Sequence, residues 1–158
     1  MVYTKTITEA AGGSISNPSL YRMAVTAGLI YRFELYFPPG SSGLLKVAMK
    51  DGDSAMYPSE PGEWFFGDNH VIQFDDLYWI SSDPCSLAIW CYNEDEAFEH
   101  VFQIRIGQVS DQRLIANYIP GATLANIGDE IQKIADAQDQ SYEARRERLL
   151  AQLEELGE

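Results

Sequence analysis

The chain has 158 residues, of which 46% are hydrophobic and 22% charged, so one globular domain can bury a core without a metal ion or a disulfide. Its formal net charge of -13 comes from 24 acidic against 11 basic residues, and such a surface repels nucleic acids and anionic membranes. No apolar run approaches the roughly 20 residues that span a bilayer, and residues 1–5 lack the basic and apolar parts of a secretory signal.

The first third of the chain alternates as β-strands do. Residues 2–8 and 20–25 predict two short strands, and residues 29–37 predict a longer one. Two prolines and two glycines in residues 38–43 then reverse the chain, and residues 44–49 predict the return strand. Within the longest strand, one face is expected to carry every second residue, namely Leu29, Tyr31, Phe33, Leu35 and Phe37.

Four more strands are predicted, separated by short polar turns, at residues 71–74, 77–80, 85–92 and 98–106. Seven or eight short strands without an intervening helix predict a mainly β protein. The expected fold is an antiparallel β-sandwich, jelly-roll or Ig-like, over residues 1–107, with a long C-terminal α-helix.

Few residues point to catalysis. Cys85 and Cys91 lie on one predicted strand, about 20 Å apart, too far for a disulfide, and they are expected to be buried and free. His70 and His100 are the only histidines, and no serine or cysteine has a nucleophile-elbow context. We therefore expect no enzyme, metal site or cofactor.

Acidic groups leave some alternatives open. Asp51 and Asp53 begin like a calcium loop, but the later ligands of such a loop are missing. Glu60 with Glu63, or Asp75 with Asp76, offers a pair for acid–base catalysis, although carboxylates in turns lack the apolar surroundings that raise one pKa.

An aromatic segment, Trp64, Phe65 and Phe66, lies in a predicted loop over residues 57–69. The loop either closes one end of the sandwich or uses these rings to anchor a partner, because aromatic side chains carry much of the energy of interfaces. A sugar-stacking surface that also includes Tyr78 is the third option.

The pattern changes after residue 107. Residues 108–121 predict a connecting arm, and residues 122–158 a helix for oligomerisation or docking, capped at Thr123 and about 50 Å long. Two apolar stripes, separated by a polar stretch over residues 138–148, are each expected to be covered by another polypeptide. The first stripe consists of Leu124, Ile127, Ile131 and Ile134, and the second of Leu149, Leu150, Leu153 and Leu156. The basic residues Arg145, Arg146 and Arg148 either form a solvated face paired with Glu143 and Glu147 or meet an acidic neighbour.

The segments between residues 29 and 107 resemble small β-sandwich proteins encoded among the structural genes of tailed phages and related viruses. The resemblance covers about half of the chain, carries no catalytic residue and does not include the long helix. It rests on Ile30-Tyr31-Arg32-Phe33-Glu34-Leu35-Tyr36-Phe37-Pro38-Pro39-Gly40, Tyr57-Pro58 with Pro61, Phe66-Gly67-Asp68-Asn69, Trp90-Cys91-Tyr92-Asn93-Glu94-Asp95 and Phe102-Gln103-Ile104-Arg105-Ile106-Gly107.

The resemblance implies a non-catalytic virion structural protein, made in the host cytoplasm and located in the virion as a capsid decoration or cementing subunit, a connector or a tail subunit. Its expected partners are other virion proteins, such as the major capsid protein, and further copies of itself, with a trimer as one option; nucleic acid and membranes are not expected partners. The alternative is a carbohydrate-binding module that uses the loop aromatics. The expected partner-binding residues are Trp64, Phe65, Phe66, Leu124, Ile127, Ile131, Ile134, Leu149, Leu153 and Leu156.

Overall fold

A computed structural model describes residues 1–156, with backbone alone for residues 155 and 156. This part of the chain forms nine β-strands followed by two helices. In chain order they are β1 Val2–Glu9, β2 Ser19–Val25, β3 Gly28–Phe37, β4 Leu45–Asp51, β5 Ser54–Tyr57, β6 Phe65–Phe66, β7 His70–Ile80, β8 Cys85–Asn93, β9 His100–Val109, α1 Gln112–Ile115 and α2 Ile127–Leu156.

The strands pair as one long antiparallel ribbon. Strand β1 pairs with β9, β2 with β8, β3 with β7, and β4 with β5. Rolling up this ribbon places successive pairs in opposite sheets, which have the orders β1-β9-β3-β7 and β2-β8-β4-β5, with the two-residue β6 beside β4. The predicted sandwich is confirmed, and its connectivity is that of a jelly roll, because the four successive pairs of the ribbon alternate between the two sheets.

The core lies between the two sheets. Alternate residues of β8, from Cys85 to Cys91, point inward and are buried, and both cysteines are free, as expected. They pack against β3 and β9 through Phe33, Leu35 and Phe102, which are almost fully buried. Each such large apolar side chain contributes roughly 1.5–3 kcal/mol when it leaves water.

A bulge in β3 overturns one expectation. The pairing register of β3 with both neighbouring strands shifts between Ile30 and Arg32. Ile30 therefore joins Phe33 in the core between the sheets, while Leu29 and Tyr31 contact a second apolar cluster. The single apolar face predicted for residues 29–37 is thus divided in two, because one extra residue in a strand reverses the side-chain alternation.

Two strands that were predicted separately form one strand. Residues 71–74 and 77–80 both belong to the continuous β7. The Asp75-Asp76 pair does not form the predicted turn, because Asp75 binds Arg32 at 3.2 Å and Asp76 accepts hydrogen bonds from the Tyr57 hydroxyl and its neighbour's N–H. The short strands β5 and β6 are additions to the predicted set, since β6 lies in a segment expected to be a loop.

The C-terminal boundaries also differ from those expected. Strand β9 continues to Val109, two residues past the predicted end of the sandwich, and the predicted arm contains α1. Helix α2 begins at Ile127, so Thr123 does not cap it. Instead, the Thr123 hydroxyl donates a hydrogen bond to the side-chain oxygen of Asn126, the residue before the helix.

Candidate protein interface

The first half of α2 packs on its own sandwich. Ile127 is 4% exposed, and Ile131 and Ile134 pack against the same cluster, whose buried members are Leu29, Val109, Ile115, Ile119 and Ile127. This corrects the expectation that another polypeptide covers the first stripe. Leu124, the remaining member of that stripe, lies before the helix and is 65% exposed.

The predicted arm takes part in this packing. Gly107 has no side chain, and a Cβ there would come within 2.8 Å of the Tyr31 ring. The ring therefore lies close over the backbone of β9, and Tyr118 of the arm stacks on it with centroids 4.4 Å apart. Residues 110–121 thus hold the start of α2 against one sheet, in addition to connecting it to the sandwich.

Further along, α2 lies across the side of the sandwich where β7 and β5, the outer strands of the two sheets, are adjacent. The Gln138 side chain accepts a hydrogen bond from the Trp79 N–H at 2.7 Å and donates one to the Trp79 carbonyl at 3.3 Å. It therefore pairs with this edge strand as a neighbouring peptide group would. Arg145 donates to the backbone carbonyls of Ala55 and Ser59. Between these contacts is a largely polar cavity of about 650 Å³. Hydrogen bonds rather than apolar contacts therefore hold this part of the helix.

The last turns of α2 carry the second stripe. Leu149, Leu150 and Leu153 are 39%, 51% and 64% exposed, and we call them the leucine patch. Leu156 ends the helix, but its side chain lies outside the described part of the structure. The leucine patch therefore lies where the sequence predicts it, and the described residues of its own chain cover it only in part.

The aromatic segment is divided among three environments. Phe65 packs inward against Phe33, with centroids 6.0 Å apart, and Trp64 meets Tyr92 edge-on at 4.8 Å. Phe66 is exposed and has the Lys46 ammonium 4.1 Å from its ring centroid. The segment therefore covers part of the sandwich and also contributes to the surface.

The sugar-stacking surface predicted from Trp64, Phe65, Phe66 and Tyr78 does not form. Tyr78 packs against the core between the sheets, as Phe65 does, and its hydroxyl donates to Asp51 at 3.2 Å. Two of the four rings are therefore directed away from a common outer face.

One cleft brings the aromatic segment, the outer face of β4 and β8, and α2 together. It has a volume of about 360 Å³ and an apolar lining that includes Trp64, Trp90, Ala48 and Leu149. We call it the aromatic cleft. Because Leu149 belongs to both the cleft and the leucine patch, the two form one continuous apolar surface.

Buried hydroxyls and carboxylates link the sheets beneath α2. The Tyr57 hydroxyl donates to Asp76 at 2.8 Å, and burial, followed by the charge of Asp76, raises the pKa of Tyr57 far above its ordinary value. Burial, followed by the charge of Asp51, likewise raises the pKa of Tyr78. Both tyrosines therefore remain neutral and act as hydrogen-bond donors.

A second carboxylate cluster lies on the opposite side of the sandwich. Glu9 is buried and accepts hydrogen bonds from the Ser19 hydroxyl at 2.6 Å, the Tyr21 hydroxyl at 3.1 Å and the Cys91 thiol at 3.2 Å. Burial, followed by the bond to Glu9, raises the pKa of Tyr21 to about 12. These donors satisfy a carboxylate that would otherwise be costly to bury, so the cluster joins β1 to the opposite sheet.

The candidate catalytic groups are engaged in local structure. His100 lies 2.9 Å from the Asp95 carboxylate, and the N–H of Ala97, followed by His100 and the N–H of Phe98, holds the pKa of Asp95 below its ordinary value.

Among the described residues, no group of three or more His, Cys, Asp and Glu side chains is placed to hold a metal ion. Neither of the two described helices combines the length and apolar character required to cross a membrane.

Comparisons with known proteins identify no family. No protein-family model matches the chain, and no curated protein sequence matches it at a significant level. A solved structure described as "Cyanophage Pam1 capsid asymmetric unit" has a TM-score of 0.41 and 10% sequence identity, covering 67% of this chain and 81% of that chain. A likeness at this level establishes neither the family nor the function of the present chain.

Proposed function

We propose that this chain is a non-catalytic virion structural subunit, a capsid decoration or cementing protein, that joins other virion proteins through the end of α2 and the adjoining aromatic cleft. The leucine patch carries the proposal. Three leucines on the last turns of a helix remain accessible, although Ile127 at its start is buried and Ile131 and Ile134 pack against the sandwich. A continuous exposed apolar surface on a soluble domain is typical of a protein interface.

The scaffold supports an assembly role. A jelly roll is a two-layer fold common in capsid proteins, although the same fold also serves lectins and enzymes. Here α2 is held by apolar packing at its start and by Gln138 and Arg145 further along, so its last turns are presented at a defined place. The resemblance of residues 29–107 to phage structural proteins adds the virion context.

The state of the candidate acids favours a structural role over catalysis. Asp75 is paired with Arg32, Asp76 with Tyr57, and His100 with Asp95. Glu60 and Glu63 line the aromatic cleft with their side chains exposed to solvent.

Incorporation into particles tests the proposal. The chain is to be followed by mass spectrometry through gradient purification of the virus that encodes it. We expect the chain in the particle fraction at a fixed ratio to the major capsid protein, and its absence from purified particles would overturn the proposal.

A matched pair of variants then tests the role of the leucine patch. Leu149→Gln/Leu153→Gln keeps good helix formers and is expected to remain folded but to be lost from particles. Leu114→Gln changes a leucine of α1 that is 52% exposed and is expected to be incorporated normally. Equal incorporation of the two variants would show that the patch has no part in assembly.

A further inference from the structure

The rim of the aromatic cleft is balanced in charge on a chain that is strongly acidic overall. Its basic residues are Lys50, Arg145 and Arg146, and its acidic residues are Asp53, Glu60 and Glu63. The whole chain has a net charge of -13, so two copies repel each other over most of their surfaces. At this rim the charges of the two copies can oppose each other in unlike pairs.

The basic and acidic rim residues come from different elements. Arg145 and Arg146 lie on α2, whereas Glu60 and Glu63 lie in the segment between β5 and β6. In a twofold contact the same patch meets itself, so α2 of each copy approaches the segment of the other. Such an arrangement brings arginines opposite glutamates twice.

The apolar surface fits the same arrangement. Leu149 lines the cleft, and Leu153 lies one turn of helix beyond it, about 6 Å further along the axis. Trp64 and Trp90 line the interior and are half-buried in the single chain. The leucines of one copy can thus pack against those of the other, with the tryptophan rings beside them.

We propose that the aromatic cleft and the leucine patch together form a twofold interface with a second copy of this chain. The inference rests on the proposed function and deepens it by naming the partner at this surface. Arg145 binds its own chain through Ala55 and Ser59, which leaves Arg146, whose contact to Glu143 is a solvent-exposed 3.8 Å pair, to meet the acidic rim of the second copy.

Mass in solution is the first test, measured by sedimentation equilibrium over the micromolar range. The full chain is expected to be a dimer, and Leu149→Gln/Leu153→Gln a monomer, because the substitution places polar groups in the apolar centre of the contact. Leu114→Gln is expected to remain a dimer. A full chain that is monomeric throughout the range, or a dimer unaffected by the double substitution, would overturn the inference.

Charge exchange supplies a more specific test. Arg146→Glu and Glu60→Arg/Glu63→Arg each place like charges opposite one another in a twofold dimer. The dimer dissociation constant of each variant alone is therefore expected to rise at least tenfold. A mixture of the two restores unlike pairs at both ends and is expected to form the heterodimer, detectable by native mass spectrometry. If the mixture is no more dimeric than its components, the proposed orientation is excluded.

The two proposals fail in distinguishable ways. A chain that is dimeric in solution but absent from particles overturns the virion role and leaves the dimer inference standing. A monomeric chain that requires its leucine patch for incorporation overturns the dimer inference, because the patch then contacts a different virion protein.

Discussion

The two ends of α2 carry aliphatic residues with similar helical spacing in opposite surroundings. Ile127 and Ile131 are four residues apart and pack against the chain's own sheet. Leu149 and Leu153 are also four residues apart and are 39% and 64% exposed. The spacing alone predicts an apolar face at each end, and the difference between them depends on whether the sandwich extends beneath that part of the helix.

This contrast shows why a stripe of apolar residues is not by itself evidence for a partner. The bulge in β3 directs Leu29 and Tyr31 to the outer cluster and creates an apolar surface for the start of α2. Further along the helix, Gln138 and Arg145 hold α2 by hydrogen bonds, and near its end the aromatic cleft lies beside Leu149, which is still 39% exposed. The residues proposed for the interface are those that the fold leaves exposed.

The largest expected effect on the free energy of unfolding distinguishes the start of α2 from its end. Ile127→Ala removes a buried side chain and is expected to lower the free energy of unfolding by about 2–5 kcal/mol. Leu153→Ala is expected to change it by no more than about 0.5 kcal/mol, because that residue is exposed in the single chain. Urea denaturation of both variants at low protein concentration measures the difference. Equal losses would show that the two ends are equally packed.

The next prediction concerns the hydrogen bond between Tyr57 and Asp76, which links the two sheets beneath α2. Tyr57→Phe removes the hydroxyl that donates to Asp76 and is expected to lower the free energy of unfolding by about 1–3 kcal/mol at neutral pH. The raised pKa of Tyr57 adds a pH dependence. Above its ordinary value of 10.0, the unfolded chain loses a proton that the folded chain retains, so the stability from this hydroxyl is complete below pH 10 and declines as the pH rises further.

Denaturation at neutral pH and at alkaline pH tests this dependence. The difference in stability between the wild type and Tyr57→Phe is expected to narrow as the pH rises above 10. A constant difference would contradict the assigned pKa shift.

A smaller effect is expected where Gln138 pairs with β7. Gln138→Ala removes two hydrogen bonds to the Trp79 backbone and is expected to cost about 1–2 kcal/mol. Amide hydrogen exchange at Trp79 is expected to accelerate in this variant. Gln140→Ala, a change of the same residue type at an exposed position of α2, is the control and is expected to alter neither quantity.

The smallest effect on the free energy of unfolding is expected at Arg145, which lies on α2 between the packed start of the helix and the leucine patch. Arg145→Met removes bonds to the carbonyls of Ala55 and Ser59 and is expected to cost only about 0.5 kcal/mol, because the contacts are partly exposed. Hydrogen exchange in β5 and in the last third of α2 is expected to increase. Arg148→Met, an exposed position without these bonds, is expected to leave the exchange unchanged.

Much of the fold could be predicted because alternation in a strand records which face is buried. The predicted bounds of β1, β2 and β8 agree with the structure within one residue at each end, and both cysteines are buried as expected. The division of β7 was wrong, because its two aspartates have turn chemistry but find partners in Arg32 and Tyr57, both more than 15 residues away in sequence. Tertiary contacts outweighed the local preference of these residues.

The candidate interface was predicted in part. Leu149 and Leu153 could be found from their spacing. The aromatic cleft could not, because its walls come from strands β4 and β8, the segment before β6, and α2, which are adjacent only in the folded chain.

The sequence by itself determined an acidic β-sandwich followed by a long helix with two apolar stripes, because residue periodicity and charge are local properties of the chain. The tertiary structure alone decided the jelly-roll connectivity, the packing of Ile127, Ile131 and Ile134 on the sandwich, and the position of Leu149 in a charge-balanced cleft. The physical reason is that an apolar side chain is stabilised by whichever surface excludes water from it. The position of that surface depends on strand register and on the β3 bulge, and neither can be read from the spacing of residues along one helix.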